Sequence, residues 1–239
     1  MSSQSWSIVV LCYNEAANIT RVIDAVSQSL RTIAPAQHEI VVVDDGSRDG
    51  SVEIVRAIAE ARSDVRLLEH GVNKGIGEAL RTGYSAARME NVCAVPGDGQ
   101  FDLDELLPFA VLPKGSFVSF TRRNNTEYSP YRRALSRINR QINGWLLGAT
   151  LQDANWVKIY KRADLERLTF EMHSSLLQSE ISMKLLMLGR TVVEPDSRYL
   201  RRAGGNAKGG SWRVVAQAAR ETLTLMRVMR RFRRGLPRA

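Results

Sequence analysis

Cysteine is nearly absent: the 239 residues carry only Cys12 and Cys93, far apart and outside any Cys-x-x-Cys or Cys/His ligand spacing. That excludes a disulfide framework and a zinc site of ordinary spacing, and it points to a reducing, cytoplasmic setting. No Lys or Arg precedes Arg21, and the first apolar stretch is cut short by Asn14 and Glu15, so no secretory leader is expected. No run approaches the ~18 consecutive apolar residues of a membrane span. With 44% apolar and 25% charged residues, 17 Gly and 7 Pro, the composition excludes disordered and collagen-like chains. A sizeable core is available, in a protein that is soluble or at most attached to a surface.

Acidic residues are scarce in one place. From Tyr199 to Ala239 there are 11 Lys plus Arg against one acid, Glu221, a net of +10. The whole chain has a formal charge of +9, so Met1 to Arg198 sums to 9 − 10, or −1. Aromatic residues make up only 7%. A nucleic-acid module would carry its charge on a reading face, often with aromatics interleaved for stacking, so nucleic acid is disfavoured as a partner. An anionic surface or an anionic substrate explains the basic segment at least as well.

What is present is an alternation. Ser7 to Cys12, Glu39 to Val43, Val65 to Leu68 and Val92 to Val95 are short apolar runs of strand type. Between them, Ile19, Val22, Ile23, Val26 and Leu30 fall at helical spacing, as do Val52, Ile54, Val55, Ile58 and Ala59, and a third helix is expected over Gly75 to Met89. Strands too apolar to face water, alternating with helices, predict an α/β fold with a mostly parallel sheet covered on both faces. Further on, Phe117 to Thr121 and Trp156 to Tyr160 read as strands, and Tyr131 to Leu147 as a helix carrying Arg132, Arg133, Arg137 and Arg140. There is no internal repeat. One domain over 1–210 is expected, with Gly204 to Gly210 as a hinge before a basic amphipathic helix over 211–239.

Polar clusters follow three of the strands: Tyr13-Asn14-Glu15, Asp44-Asp45-Gly46-Ser47 and Asp98-Gly99-Gln100. Each alone is also what helix caps and turns look like. Three on one rim of one sheet, where such sheets bind ligands, point instead to a site.

The strings VVLCYNEAANI, VVVDDGSRDGS, NKGIGEALRTG and PGDGQFDLDEL, in that order, resemble the inverting glycosyltransferases of family 2. The nearest branch is that of dolichyl-phosphate mannosyltransferases and polyprenyl-phosphate glycosyltransferases, and the likeness runs from about Ser7 to Lys208. It implies a GT-A fold, in which a Rossmann-like half binds a nucleoside-diphosphate sugar and a second half binds the acceptor. It places Tyr13, Asn14 and Glu15 at the base and ribose, with Asp44 and Asp45 accepting hydrogen bonds from them. Lys74 stands in a glycine-rich loop whose amides can approach the ligand, and Arg202 and Lys208 would face the leaving diphosphate. Asp98, with Gln100, would hold Mg²⁺ or Mn²⁺.

Three departures stand out. The family's fourth strand ends in Asp-x-Asp, but Pro96 replaces the first acid here. Mg²⁺ is often held by one or two carboxylates plus substrate phosphates, so Asp98 and Gln100 remain a candidate pair. The family's Ser before the late Lys is Ala207, and Asp153 to Lys158 matches its Asp…Gly-Phe-Arg/Lys segment one residue short. The Gln-x-x-Arg-Trp string of processive synthases is absent, which argues against polymer synthesis.

A lipid monophosphate acceptor is already ionised at neutral pH and needs a positive cradle rather than a general base. Arg122, Arg133 and Arg137 suit that cradle. A neutral hydroxyl acceptor, such as that of a secondary metabolite, would need a carboxylate to take its proton, for which Asp153 and Glu180 are the candidates. A nucleotide-sugar-binding protein without turnover is a third reading, motivated by Pro96. In the last helix Trp212, Val215, Ala219, Met226, Met229 and Phe232 fall on one stripe and most arginines off it. That pattern suits a helix lying at the inner face of an anionic membrane, or one packed on the domain.

Overall fold

The computed structural model describes residues 4–122, 151–153, 155–200 and 212–236. The first half alternates strictly: β1 (Trp6–Cys12), α1 (Ile19–Ile33), β2 (His38–Asp44), α2 (Ser51–Ala61), β3 (Val65–Glu69), α3 (Ile76–Ala86) and β4 (Asn91–Pro96). A 3-10 helix (Leu103–Phe109) leads into β5 (Ser116–Ser119) and β6 (Thr121–Arg122). After these come β7 (Lys158–Lys161), α4 (Arg162–Leu165), α5 (Leu176–Met187), β8 (Thr191–Val193), β9 (Asp196–Ser197) and α6 (Trp212–Gly235).

Seven strands form one sheet in the order β3-β2-β1-β4-β7-β5-β8. β1 runs parallel to β2 and to β4, whereas β7 is antiparallel to both β4 and β5. Successive residues of β1 face opposite layers, as the period of two requires. Ile8 and Val10 belong to the core that α1 and the 3-10 helix complete, and Val9, against Gly83 of α3, to the core on the other face that α5 and α6 complete. All three are fully buried, and each such side chain stabilises the fold by about 1.5–3 kcal/mol relative to leaving it in water. The stripe expected of α1 is the one buried, with Ile33 added one turn on.

Past β4 the structure departs from the sequence reading. The strand expected over Phe117 to Thr121 breaks at Phe120: β5 stays in the main sheet and β6 pairs with β9 in a separate two-stranded sheet. The strand expected from Trp156 begins only at Lys158, and the third helix ends at Ala86 rather than Met89. The helix expected over Tyr131 to Leu147, with Arg132, Arg133, Arg137 and Arg140, lies outside the described residues, as do Arg202 and the Gly204 to Gly210 cluster with Lys208.

α6 packs along α5. Leu225, Val228 and Met229 are buried in the core, and Phe232 packs against it with its ring 5.3 Å from the Lys184 ammonium. The core-facing residues here are Leu225, Val228 and Met229 with Phe232 half-buried against them, so Met229 and Phe232 stand as expected while Leu225 takes the buried place expected of Met226, which is half-buried. Arg227, Arg230, Arg231, Arg233 and Arg234 are exposed. Among the described residues no helix is long and apolar enough to cross a membrane.

Candidate active site

The register of β1, β2 and β4 brings the three polar clusters to one rim. Cys12 stands opposite Asp44, Leu11 stands opposite Pro96, and the Gly97 amide donates to the Leu11 carbonyl at 2.8 Å. A side chain at Gly97 would press its Cβ to 2.6 Å from that carbonyl oxygen, so the close approach of the β4 loop to β1 requires glycine. The strand order reverses between β1 and β4, which is where open α/β sheets leave a crevice for ligands.

The loops after β1 and β2 are stitched together. Asn14, at φ 54°, donates its amide to Ser47 Oγ at 2.8 Å, and its Oδ1 accepts the Arg48 amide at 2.7 Å. The Glu15 amide donates to Ser51 Oγ at 2.9 Å and the Ala16 amide to Asp49 at 3.0 Å. Ser47, Asp49 and Ser51 are thus part of the site's frame. The sequence displays them as a turn string, but their partners on the β1 loop are set only by the parallel register. The Glu15 carboxylate also accepts Asn18 Nδ2 at 2.8 Å, while Tyr13 stands at the surface.

Both rim aspartates are buried and engaged. Asp44 Oδ2 accepts the amides of Gly46 and Ser47 at 3.0 and 2.9 Å, and its Oδ1 accepts the Ser47 hydroxyl. Asp45 Oδ1 accepts the Lys74 amide at 2.8 Å and Oδ2 the Gly75 amide at 2.9 Å. The amides of the glycine-rich loop therefore point at Asp45, and the exposed Lys74 side chain stands beside them. Burial and the neighbouring Asp44 charge push the Cys12 thiol up to about 12, so it stays protonated and is no nucleophile at neutral pH.

Asp98 is 8% exposed, and its Oδ1 accepts the Gln100 amide at 3.0 Å. Gln100 and Phe101 lean on the segment after β9: the Leu200 amide donates to the Gln100 carbonyl at 3.0 Å, and Phe101 bridges to Tyr199. Pro96 closes β4 two residues earlier and supplies no carboxylate. Among the described residues no three His, Cys, Asp or Glu side chains converge as metal ligands. These residues fit a cation that takes most of its ligands from a diphosphate and water, not one caged by protein.

Arg122 holds Asp153 by two hydrogen bonds, and its guanidinium lies 4.5 Å from the centroid of the Trp156 ring. Trp156 in turn meets Phe101 edge-on at 6.0 Å and donates from Nε1 to Ser197 at 2.9 Å. This chain of contacts sets the Arg122 pair beside the Asp98 loop. Lys158, fully buried, donates to Ser119 Oγ at 2.7 Å and to the Asp153 carbonyl at 3.0 Å. Burial pushes its ammonium down to about 8, against the opposing pull of Asp153.

Glu180, a candidate base for a hydroxyl acceptor, is not a free carboxylate at the rim. It is fully buried, accepts the amides of Glu171 and Met172, and pairs with Lys184 at 2.6 Å. With its oxygens so used, it holds α5 to the preceding loop and stands in the core rather than on the rim. A cleft of about 220 Å³ opens beside Pro96 and Gly99, lined by Arg21, Gln28 and Leu200. It lies against α1 and is smaller than the ~300 Å³ of the smallest usual ligand pockets.

This mostly parallel sheet with its flanking helices has the GT-A architecture, and the family follows: residues 7–169 match the model of glycosyl transferase family 2, to which the chain belongs. The undecaprenyl-phosphate 4-deoxy-4-formamido-L-arabinose transferase of Yersinia pestis is 25% identical over 213 residues, 87% of this chain. The chain spans 64% of that transferase's length. The dolichol-phosphate mannosyltransferase of Mycosarcoma maydis is 30% identical over 126 residues, 51% of this chain and 43% of the relative. Among solved structures, glucosyl-3-phosphoglycerate synthase of Mycobacterium tuberculosis, in complex with Mn²⁺, UDP and phosphoglyceric acid, superposes with a TM-score of 0.67 at 21% identity. That match covers 99% of this chain and 80% of the synthase.

Proposed function

We propose that this chain is an inverting glycosyltransferase that moves a sugar from a nucleoside-diphosphate donor to a polyprenyl phosphate. The observation that carries the reading is the convergence of the Asn14, Asp44–Asp45, Lys74 and Asp98 loops on one rim at the strand-order switch. A nucleoside offers imide N–H and hydroxyl donors, and a carboxylate with acceptor capacity left over matches them. Asp98 would hold Mg²⁺ or Mn²⁺ on the diphosphate, where a cation neutralises the charge that develops on the leaving group. Gln100 keeps the Asp98 loop in place, and Arg202 and Lys208 remain proposed partners of that diphosphate.

The acceptor side is read from Arg122, with Arg133 as its proposed companion. Two anions, acceptor phosphate and donor diphosphate, must approach each other, and cationic side chains offset that repulsion. Since a phosphate is already a nucleophile, no carboxylate base is needed, which agrees with Asp153 being the counter-ion of Arg122. The exposed arginines of α6 suit an anionic cytoplasmic leaflet in which such an acceptor is dissolved.

A second reading, a soluble acceptor, is favoured by the likeness to a synthase solved with phosphoglyceric acid. Both readings share a phosphate-bearing acceptor. Incubation with UDP- and GDP-sugars and either a short-chain polyprenyl phosphate or phosphoglyceric acid separates them. Sugar linked to the lipid phosphate is expected. Sugar on a hydroxyl of the soluble acceptor alone would overturn the lipid reading, and donor binding without product would make the chain a binding protein.

A further inference from the structure

We propose that His70 is a positioning residue of the donor site: through Asp45 it fixes the Lys74–Gly75 turn against the loop that follows β2. The inference rests on reading this rim as the nucleotide-sugar site.

His70 comes directly after β3, and its side chain is 6% exposed, as is that of Asp45. Its Nδ1 lies 2.8 Å from Asp45 Oδ1 and its Nε2 2.9 Å from Thr82 Oγ1 on α3. A carboxylate only accepts, so Nδ1 carries the proton in this contact. The Thr82 hydroxyl donates to a neutral ring or accepts from a charged one, so the bridge persists in either state. The His70 amide also donates to the Asp44 carbonyl at 2.9 Å. One residue thus ties the ends of β2 and β3 to α3.

Asp45 passes the restraint on. The oxygen that meets His70 also accepts the Lys74 amide, and the other accepts the Gly75 amide. Gly75 has φ 92°, so the turn is held in a conformation that side chains rarely adopt. Gly46 packs so closely on the backbone of Val72 and Asn73 that a Cβ there would collide with both. The 72–75 segment is therefore fixed at two points on the Asp44–Asp45 loop, and only the Asp45 point depends on a side chain that can be replaced. Without His70, Asp45 keeps its two amide partners but loses the one side chain among the three groups that orient its carboxylate.

The two ring nitrogens can be separated by substitution. His70→Asn keeps a donor near the Nδ1 position, whereas His70→Gln moves it toward Nε2 and away from Asp45. In the full chain, H70Q is expected to weaken UDP or GDP binding, and to raise the KM for the corresponding donor, about tenfold with kcat nearly unchanged. H70N is expected within about threefold of wild type. Amide exchange at Lys74 and Gly75 should accelerate in H70Q and far less in H70N, which loses only the Thr82 contact, a readout that needs no substrate. Thr82→Val, which removes only the far contact, should act in the same direction more weakly. Unchanged nucleotide binding in folded H70Q, or in Thr82→Val where H70Q does not fold, overturns the inference alone. A wild-type chain that binds neither UDP nor GDP overturns the donor reading and this inference with it.

Discussion

Arg122 and Asp153 grip each other through two bonds, Nε to Oδ2 at 2.6 Å and Nη2 to Oδ1 at 3.0 Å, on side chains only 14% and 13% exposed. Such a fork leaves the carboxylate as a counter-ion and fixes the guanidinium plane over Trp156. Removing one partner leaves a charge that is costly to bury, so Asp153→Leu should lower unfolding free energy by ~3 kcal/mol. The double variant Arg122→Leu/Asp153→Leu should lose clearly less than the sum of the two single losses. Urea unfolding of the three variants checks this, and additive losses would show that the pair is not coupled.

Lys158 predicts a pH dependence of stability. Its folded-state pKa is lowered from 10.5 to about 8. Between those values the unfolded chain holds more protons at this site, so stability rises with pH across that window. Relative to Lys158→Met, the wild type should gain roughly 2 kcal/mol between about pH 8 and pH 10. Parallel unfolding curves at the two pH values provide the measurement, and a constant difference would mean that the ammonium is not held in a dry site.

In the proposed reading Asp98 meets the diphosphate-bound cation, so Asp98→Ala should abolish transfer while leaving the melting temperature within a few degrees. Pro96→Asp restores a second acid two residues earlier and should lower the Mg²⁺ or Mn²⁺ concentration for half-maximal rate. Full activity of the wild type in excess chelator would show that cationic side chains alone neutralise the leaving group.

The two faces of α6 have separate predicted roles. Met229→Asp places a charge in the core against α5 and should destabilise the protein by several kcal/mol. Replacing Arg227, Arg230 and Arg234 with Glu should leave stability nearly unchanged but abolish co-sedimentation with anionic vesicles at low salt. Wild-type attachment should itself fade as the screening length falls from ~10 Å at 0.1 M to ~3 Å at 1 M salt. Salt-insensitive attachment would instead mean that apolar side chains enter the bilayer.

The first half of the fold is legible because β1, β2 and β4 are buried on both faces and so read as unbroken apolar runs. Their loops share a rim by topology, so Asn14, Asp44, Asp45 and Asp98 could be collected without coordinates. The second half is not legible in this way. β6 and β9 have two residues each and β8 three, too short for any periodicity to show. α5 is buried nearly all round, with Gln178, Ser179, Glu180, Ser182 and Lys184 inside along with its leucines, so its sequence offers no polar face to recognise. The spacing of four between Glu180 and Lys184 was the available sign of their ion pair. His70 carries no sign at all, since Asp45 is brought to it only by the parallel pairing of β2 and β3, and Thr82 only by the packing of α3 on the sheet.

The most direct measurement is the crystallographic position of a bound nucleoside diphosphate. UDP or GDP soaked with Mn²⁺ should place its nucleoside between the loops after β1 and β2, over Asp44 and Asp45, with the diphosphate beside Lys74 and the cation on Asp98. Nucleotide bound instead in the cleft lined by Arg21 and Gln28, or a rim left empty at millimolar nucleotide, would contradict the assignment of this rim as the donor site.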